Sequence, residues 1–220
     1  MTRLVAVAGS APGIGKSTLC AALAGWLTGS GRRVDHFREE DMYNRPAFAP
    51  LVEEFTGTGV VRLSTLLVTT TEYVRTAAAS GYDVVLTDSL IPFTHSVLAW
   101  GHDEQTVTDF LADLAARLAP FRPVLVYLDG DPGTALLRAA EREERDEPGW
   151  LDWFVGKLTH YQVTPAVTDL GTAITYLRHE RELTLRLLRA QSWQLIVIER
   201  ADELAPADIE ATARRLLRSE

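Results

Sequence analysis

The chain has 220 residues, 46% of them hydrophobic and 24% charged, with a formal net charge of −8. That length buries a sizeable core, and so acidic a surface repels a nucleic-acid backbone, which argues against a polynucleotide partner. No apolar run reaches the ~18 residues of a membrane span, so no membrane association is expected, and a single cysteine, Cys20, leaves no internal disulfide to form. The opening MTRLVAVAGS leads straight into a glycine-rich segment with no separate cleavage region. It reads as a strand rather than an export signal, and a cytoplasmic location follows by default.

Periodicity predicts strands alternating with helices. The first strand is Leu4 to Ala8, followed by a helix from about Lys16 to Thr28, ended by Gly29 and Gly31. A second strand spans Val34 to Arg38, and helical stretches fill about Pro46 to Ser80, broken near Gly57 and Gly59. The third strand, Asp83 to Thr87, is a continuous apolar run suited to a sheet buried on both faces. A helix is expected over Glu104 to Leu118, a fourth strand over Val124 to Leu128, and a helix opening at Asp131-Pro132, an N-cap followed by proline at the first helical position. Helix then covers about Trp150 to Tyr161 and Pro165 to Arg189. A fifth strand is Gln194 to Ile198, and a last amphipathic helix starts near Pro206. This alternation implies one α/β domain, residues 1–220, with a parallel sheet, helices on both faces and ligands at the carboxyl ends of the strands.

Residues 9–19, GSAPGIGKSTL, sit between the first strand and the first helix. Gly15-Lys16-Ser17 match the end of the phosphate-binding template G-x-x-x-x-G-K-[ST] in its required context. The template's first position falls on Ser10, with Gly9 beside it. Gly13 and Gly15 let backbone N–H groups turn towards an anion, and the helix start adds partial positive charge. The expected nucleotide cradle is Ala11, Pro12, Gly13, Ile14, Gly15, Lys16, Ser17 and Thr18. Lys16 would reach the β- and γ-phosphates of ATP, and Ser17 would help hold Mg²⁺. Lysine is scarce, Lys16 and Lys157 being the two present, which makes a chance GK[ST] triplet unexpected. The Asn-Lys-x-Asp stretch of GTPases, the Leu-Ser-Gly-Gly-Gln signature of transporter ATPases and the additional loop lysine of partition ATPases are absent from the sequence. A small-molecule kinase is the remaining common class at this length.

The second strand ends in FREEDMYNRPAF. Here the chain resembles the uridine kinase, phosphoribulokinase and pantothenate kinase group of P-loop kinases, which carry an Asp-Asp-Phe-Tyr-like stretch where this sequence has Glu40-Asp41-Met42-Tyr43. The resemblance implies a P-loop NTPase three-layer sandwich with a five-stranded parallel sheet in the order 2-3-1-4-5. It also implies that an acidic residue takes the proton of the attacking hydroxyl. Asp41 is the first candidate and Glu40 the second. The third strand ends at Asp88, positioned to hold Mg²⁺ with Ser17 or to bind substrate. Thymidylate and deoxynucleoside kinases, similar in layout, place an Asp-Arg pair near this point; here the next residue is Ser89, which weighs against a nucleotide acceptor.

After the fourth strand, Arg138, Arg142 and Arg145 lie at i, i+4 and i+7 on one helical face. In nucleoside- and nucleotide-kinase-like folds the resemblance implies a helical lid here, about residues 138–150, whose arginines clamp the γ-phosphate. Arg142 and Arg145 lie nearer its mobile end, and Glu147-Pro148-Gly149 would let it hinge. Phe93, His95, Trp100 and His102 follow the third strand, where loops line an acceptor pocket, although such residues more often simply pack beneath a loop. Trp150, Trp153, Lys157 and Tyr161 recur at helical spacing, as core residues do.

These features together predict a kinase that moves the γ-phosphate of ATP to a hydroxyl of a small molecule. The Arg- and Ala-rich composition looks like that of high-GC actinobacterial proteins, among which similar P-loop kinases inactivate antibiotics by phosphorylating a sugar hydroxyl. A self-resistance kinase acting on a nucleoside or sugar-containing antibiotic is the specific expectation. The rival from another class is a switch or chaperone-like ATPase acting on a protein partner. Oligomeric state is open, with a homodimer among the options.

Overall fold

A computed structural model describes residues 1–89 and 91–218. Five strands form one all-parallel sheet in the order β2-β3-β1-β4-β5. They are β1 (Arg3–Gly9), β2 (Val34–Phe37), β3 (Val84–Asp88), β4 (Val124–Leu128) and β5 (Gln194–Ile198). The order matches the expected one. Register sets Val7 of β1 beside Asp88 of β3, and Gly9 beside Leu128 of β4, so the glycine-rich segment leaves the centre of the sheet at its carboxyl edge.

Helices cover both faces because the strands are apolar on both. Side chains alternate across a strand with period two. Leu4, Ala6 and Ala8 of β1, with Val85, Leu125 and Tyr127, therefore enter one core, while Val5 and Val7, with Leu86, Val126 and Leu128, enter the other. The first core takes α2 (Ala49–Thr58), α3 (Leu63–Ala79), α4 (Thr94–Ala99) and α5 (Glu104–Leu118). The second takes α1 (Lys16–Gly29), α6 (Pro132–Asp146), α7 (Trp150–His160) and α9 (Pro206–Arg218). Helix α8 (Leu170–Arg189) serves both, giving Ala173, Tyr176 and Leu177 to one core and Leu185, Leu187 and Leu188 to the other. Leucines such as Leu23 and Leu114 are completely buried, and such a residue is worth about 2–5 kcal/mol relative to alanine.

Capping fixes where the helices start. Asp103, Asp131 and Asp169 each accept the backbone N–H of the residue three positions on, at 2.8, 2.9 and 2.8 Å, and so close the first turns of α5, α6 and α8. The N-cap read at Asp131 is thus present. Boundaries differ from expectation chiefly at α8. It starts at Leu170 rather than near Pro165, because the Asp169–Thr172 capping box sets the first turn. Among the described residues, no helix is long and apolar enough to cross a membrane.

Candidate functional site

The turn from β1 into α1 is built around two glycines. Gly13 has φ +80°, and a Cβ placed on it would lie 2.2 Å from the Ala135 carbonyl oxygen of α6. The loop therefore packs backbone to backbone against that helix. Gly15 has φ +103° and is the N-cap of α1, but a Cβ there would meet nothing. It faces open space. Ala11 and Ile14 are buried and anchor the loop, Pro12 lines the adjoining cavity, and Ser17 and Thr18 are exposed. Ser10, at the template's first position, is fully buried, and its hydroxyl has no partner among the described residues.

Unlike α5, α6 and α8, α1 has no side-chain cap, and its first turn carries no acidic residue. Its leading N–H groups and the positive end of its dipole are left for an anion. Lys16 lies in the same turn, and its ammonium donates to the Ala11 carbonyl at 3.0 Å, folding over the loop. Burial lowers its pKa below the ordinary lysine value; Asp88 and then Glu39 oppose that shift, and the Arg142 guanidinium adds to it. Lys16, Asp88, Glu39 and Arg142 thus share one electrostatic neighbourhood. Asp88 is buried and accepts the Ser89 hydroxyl at 2.8 Å.

A cavity of about 640 Å³ opens beside the loop. Gly9, Ala11, Pro12 and Lys16 form one end. The rest of its lining comes from α2, α3, α4, α7 and α8 and the segments between them. The Tyr161 hydroxyl, just past α7, donates to the Gly59 carbonyl at the end of α2 at 3.1 Å and ties those two helix ends together. Phe55 and Trp100 sit with ring centroids 6.5 Å apart, and Phe154 stacks on Trp150 at 5.5 Å.

The acidic stretch after β2 divides. Glu39 lines the cavity. Asp41 and Glu40 are turned to Arg38: the Arg38 guanidinium donates to Asp41 at 2.9 Å and lies 3.3 Å from Glu40, and the Arg38 backbone N–H donates to Asp41 at 3.1 Å. The Arg38 hydrogen bond holds the Asp41 pKa below the usual carboxylate value. Asp41 closes a short 3-10 turn, Glu39–Tyr43, and does not line the cavity.

The three arginines of α6 also part company. Arg142 acts on Lys16 while it pairs with Glu143. Arg138 donates to the Asp202 carbonyl at 2.8 Å, and Arg145 folds back on the Glu141 carbonyl at 3.1 Å. The joint after α6 is pinned, since the Glu144 carboxylate accepts the N–H groups of Gly149 and Leu151 at 2.7 and 3.0 Å.

Sequence reasoning offered Phe93, His95, Trp100 and His102 as candidate pocket lining, of which the first three line the cavity and His102 does not, and it missed Glu180 and Tyr176. His95 of α4 and Glu180 and Tyr176 of α8 all line the cavity. Their signal is weak, because a glutamate mid-helix reads as surface until the helix is known to cross behind the loop. His36 was missed too. It lies on β2, its buried Nε2 has no hydrogen-bond partner among the described residues, and its pKa is lowered by burial against the pull of Asp88. Among the described residues no cluster of three or more His, Cys, Asp or Glu has metal-binding geometry. No protein-family model matches this chain, and no curated protein matches it.

Proposed function

We propose that this chain is an ATP-dependent phosphotransferase that transfers the γ-phosphate to a hydroxyl of a small molecule held in the cavity beside Lys16. The observation that carries the reading is that Lys16 and Glu39 line one cavity at the foot of a helix start left uncapped. An anion-ready turn alone would serve hydrolysis or signalling equally well. A walled cavity opening onto the loop lysine provides for a second reactant, and positioning two reactants is most of what phosphoryl transfer asks of a protein.

In this reading the free N–H groups from Gly13 to Thr18 and the Lys16 ammonium bind the phosphates. The exposed Ser17 hydroxyl and the Asp88 carboxylate suit a hard, oxygen-seeking cation, and Mg²⁺ accompanying the nucleotide would neutralise phosphate charge there. Glu39 fits the role of proton acceptor better than Asp41 or Glu40, because it faces the cavity and they face Arg38. Arg142 is the α6 arginine proposed to oppose charge developing beside Lys16, on whose pKa its charge has a small effect. The kinship with the uridine kinase and phosphoribulokinase group stays a proposal carried by the loop and strand ends.

The test is ATP consumption with Mg²⁺ across a broad set of alcohols, nucleosides, sugars and hydroxylated antibiotics, with products read by mass. A substrate heavier by the ~80 Da of a phosphoryl group supports the reading. Hydrolysis without any phosphorylated product would favour the switch ATPase.

A further inference from the structure

The chemistry of the cavity wall narrows the acceptor. We propose that the acceptor is a neutral, largely apolar alcohol with an aromatic or alicyclic body, and not a nucleoside, a free sugar or a phosphorylated compound. This rests on the phosphotransferase reading.

Polar recognition of a nucleobase uses donor and acceptor groups at its edge, often supplied by Asn, Gln, Arg or Asp, although Glu, Ser, Tyr and His can also serve. Among the described residues lining the cavity there is no Asn, Gln, Arg or Asp. Of the five hydroxyls in the lining, three are engaged by the protein itself, and Tyr43 and Ser96 show no hydrogen-bond partner among the described residues. The Tyr161 hydroxyl donates to Gly59, the Tyr176 hydroxyl to Glu180, and the Ser89 hydroxyl to Asp88. His95 stands between the Gly9 carbonyl and Glu180. A polyol would find Tyr43, Ser96, Glu39 and Lys157 as its available side-chain partners, and each hydroxyl turned instead to the apolar wall would be stripped of water and unpaired, which is costly.

Charge points the same way. The lining carries Lys16 and Lys157 against Glu39 and Glu180, and Glu180 is matched by His95. Lys16 belongs to the nucleotide in this reading. That leaves Lys157 alone for a phosphorylated acceptor, and its ammonium already rests over the Trp153 ring at 5.3 Å. No guanidinium fork faces a second phosphate within the lining.

The remaining wall is apolar and largely aromatic. Phe55, Val61, Leu66, Phe93 and Trp100 contribute to it, together with Phe154 and Leu158 of α7. Such walls bind a ring body by area and dispersion. Lys16 and Glu39 mark the end where the reactive hydroxyl belongs. There the acceptor O–H gives its proton to Glu39 as its oxygen bonds the γ-phosphorus. The bond from that phosphorus to the β–γ bridging oxygen breaks, leaving a phosphate monoester and ADP.

The test is calorimetric binding of 2-naphthaleneethanol, 4-biphenylmethanol and 3-cyclohexylpropanol to the wild-type chain. Uridine, ribose and UMP serve as polar comparators, and Trp100→Gln and Phe154→Gln as variants. The expected result is one site per chain for at least one apolar alcohol, about tenfold or more tighter than any comparator, and weakened at least about tenfold by either variant that keeps its folded melting transition. Tighter binding of uridine, ribose or UMP overturns the proposal, and so does silence from all three apolar alcohols. If both variants unfold, the wild-type ranking still decides. ATP binding lost in Lys16→Ala is measured alongside. Its presence with a failed alcohol series sinks the acceptor class alone, while its absence sinks the phosphotransferase reading beneath it.

Discussion

Glu180 holds the Nδ1 of His95 at 3.1 Å, while the other ring nitrogen of His95 stands 2.7 Å from the Gly9 carbonyl oxygen. Both neighbours accept hydrogen bonds, and a neutral imidazole carries a single N–H. The imidazolium donates to both at once. The pair therefore joins α4 and α8 to the exact residue where β1 turns into the glycine loop.

That arrangement has a pH signature. Burial would lower the His95 pKa, but the charge and hydrogen bond of Glu180 outweigh it and the net shift is upward from 6.5. A pKa raised in the folded chain contributes stability that is complete below the unfolded value and is lost as pH rises through the folded one. Melting temperature should accordingly fall as pH climbs above about 6.5. In Glu180→Gln this decline should flatten, because the charge that holds the proton is gone. An identical slope in the variant would remove the pair from the account.

The two loop glycines should fail in different ways. Gly13→Ala drives a methyl into the α6 backbone, 2.2 Å from the Ala135 oxygen, at a φ of +80°. The steric and conformational costs add to roughly 2–5 kcal/mol, and melting temperature should fall accordingly. Gly15→Ala meets no atom and bears backbone strain alone, about 1–2 kcal/mol. Its larger effect should be on ATP affinity, since the new methyl points where phosphate is proposed to sit. Thermal melts and nucleotide titration of the two variants separate these outcomes, and equal melting losses would contradict the packing.

The strands and the glycine loop were legible because each rests on local pattern, whereas the strand order followed only from the resemblance to P-loop kinases, since pairing between distant strands leaves no local trace. Continuous apolar runs such as Val84 to Leu86 mark strands buried on both faces, and Asp131-Pro132 announces its own helix start. The choice among Glu39, Glu40 and Asp41 was not legible. It depends on Arg38, whose guanidinium gathers two of the three carboxylates and leaves Glu39 to the cavity. Likewise the helical face shared by Arg138, Arg142 and Arg145 is real. Their separate fates follow from Asp202, Glu143 and Glu141, partners that spacing alone does not rank.

The acidic stretch supplies a direct comparison. Glu39→Gln removes the carboxylate that lines the cavity and should lower turnover about 10²–10⁴-fold with ATP affinity nearly kept. Asp41→Asn weakens an exposed contact with Arg38 and should cost at most about 1 kcal/mol of stability, with turnover close to wild type. Steady-state kinetics on the two variants decides between them. Loss of turnover in Asp41→Asn alone would return the base to Asp41.

Arg142 and Arg145 differ by one helical turn and should differ sharply in function. Arg142 is the α6 arginine whose charge bears, if weakly, on Lys16, and in the proposed reaction its guanidinium would exchange Glu143 for the transferring phosphoryl group. Arg142→Ala should lower kcat by about 10²–10³ and leave ATP binding little changed, the mark of an interaction made chiefly in the transition state. Arg145 is held by the carbonyl of Glu141 on its own helix, and Arg145→Ala should remain within about twofold of wild type. If both variants lose activity equally, α6 must shift on nucleotide binding far enough to break the Glu144 bonds that pin it to α7. Double replacement with Glu144→Gln would then raise nucleotide exchange, and that rate measures the motion directly.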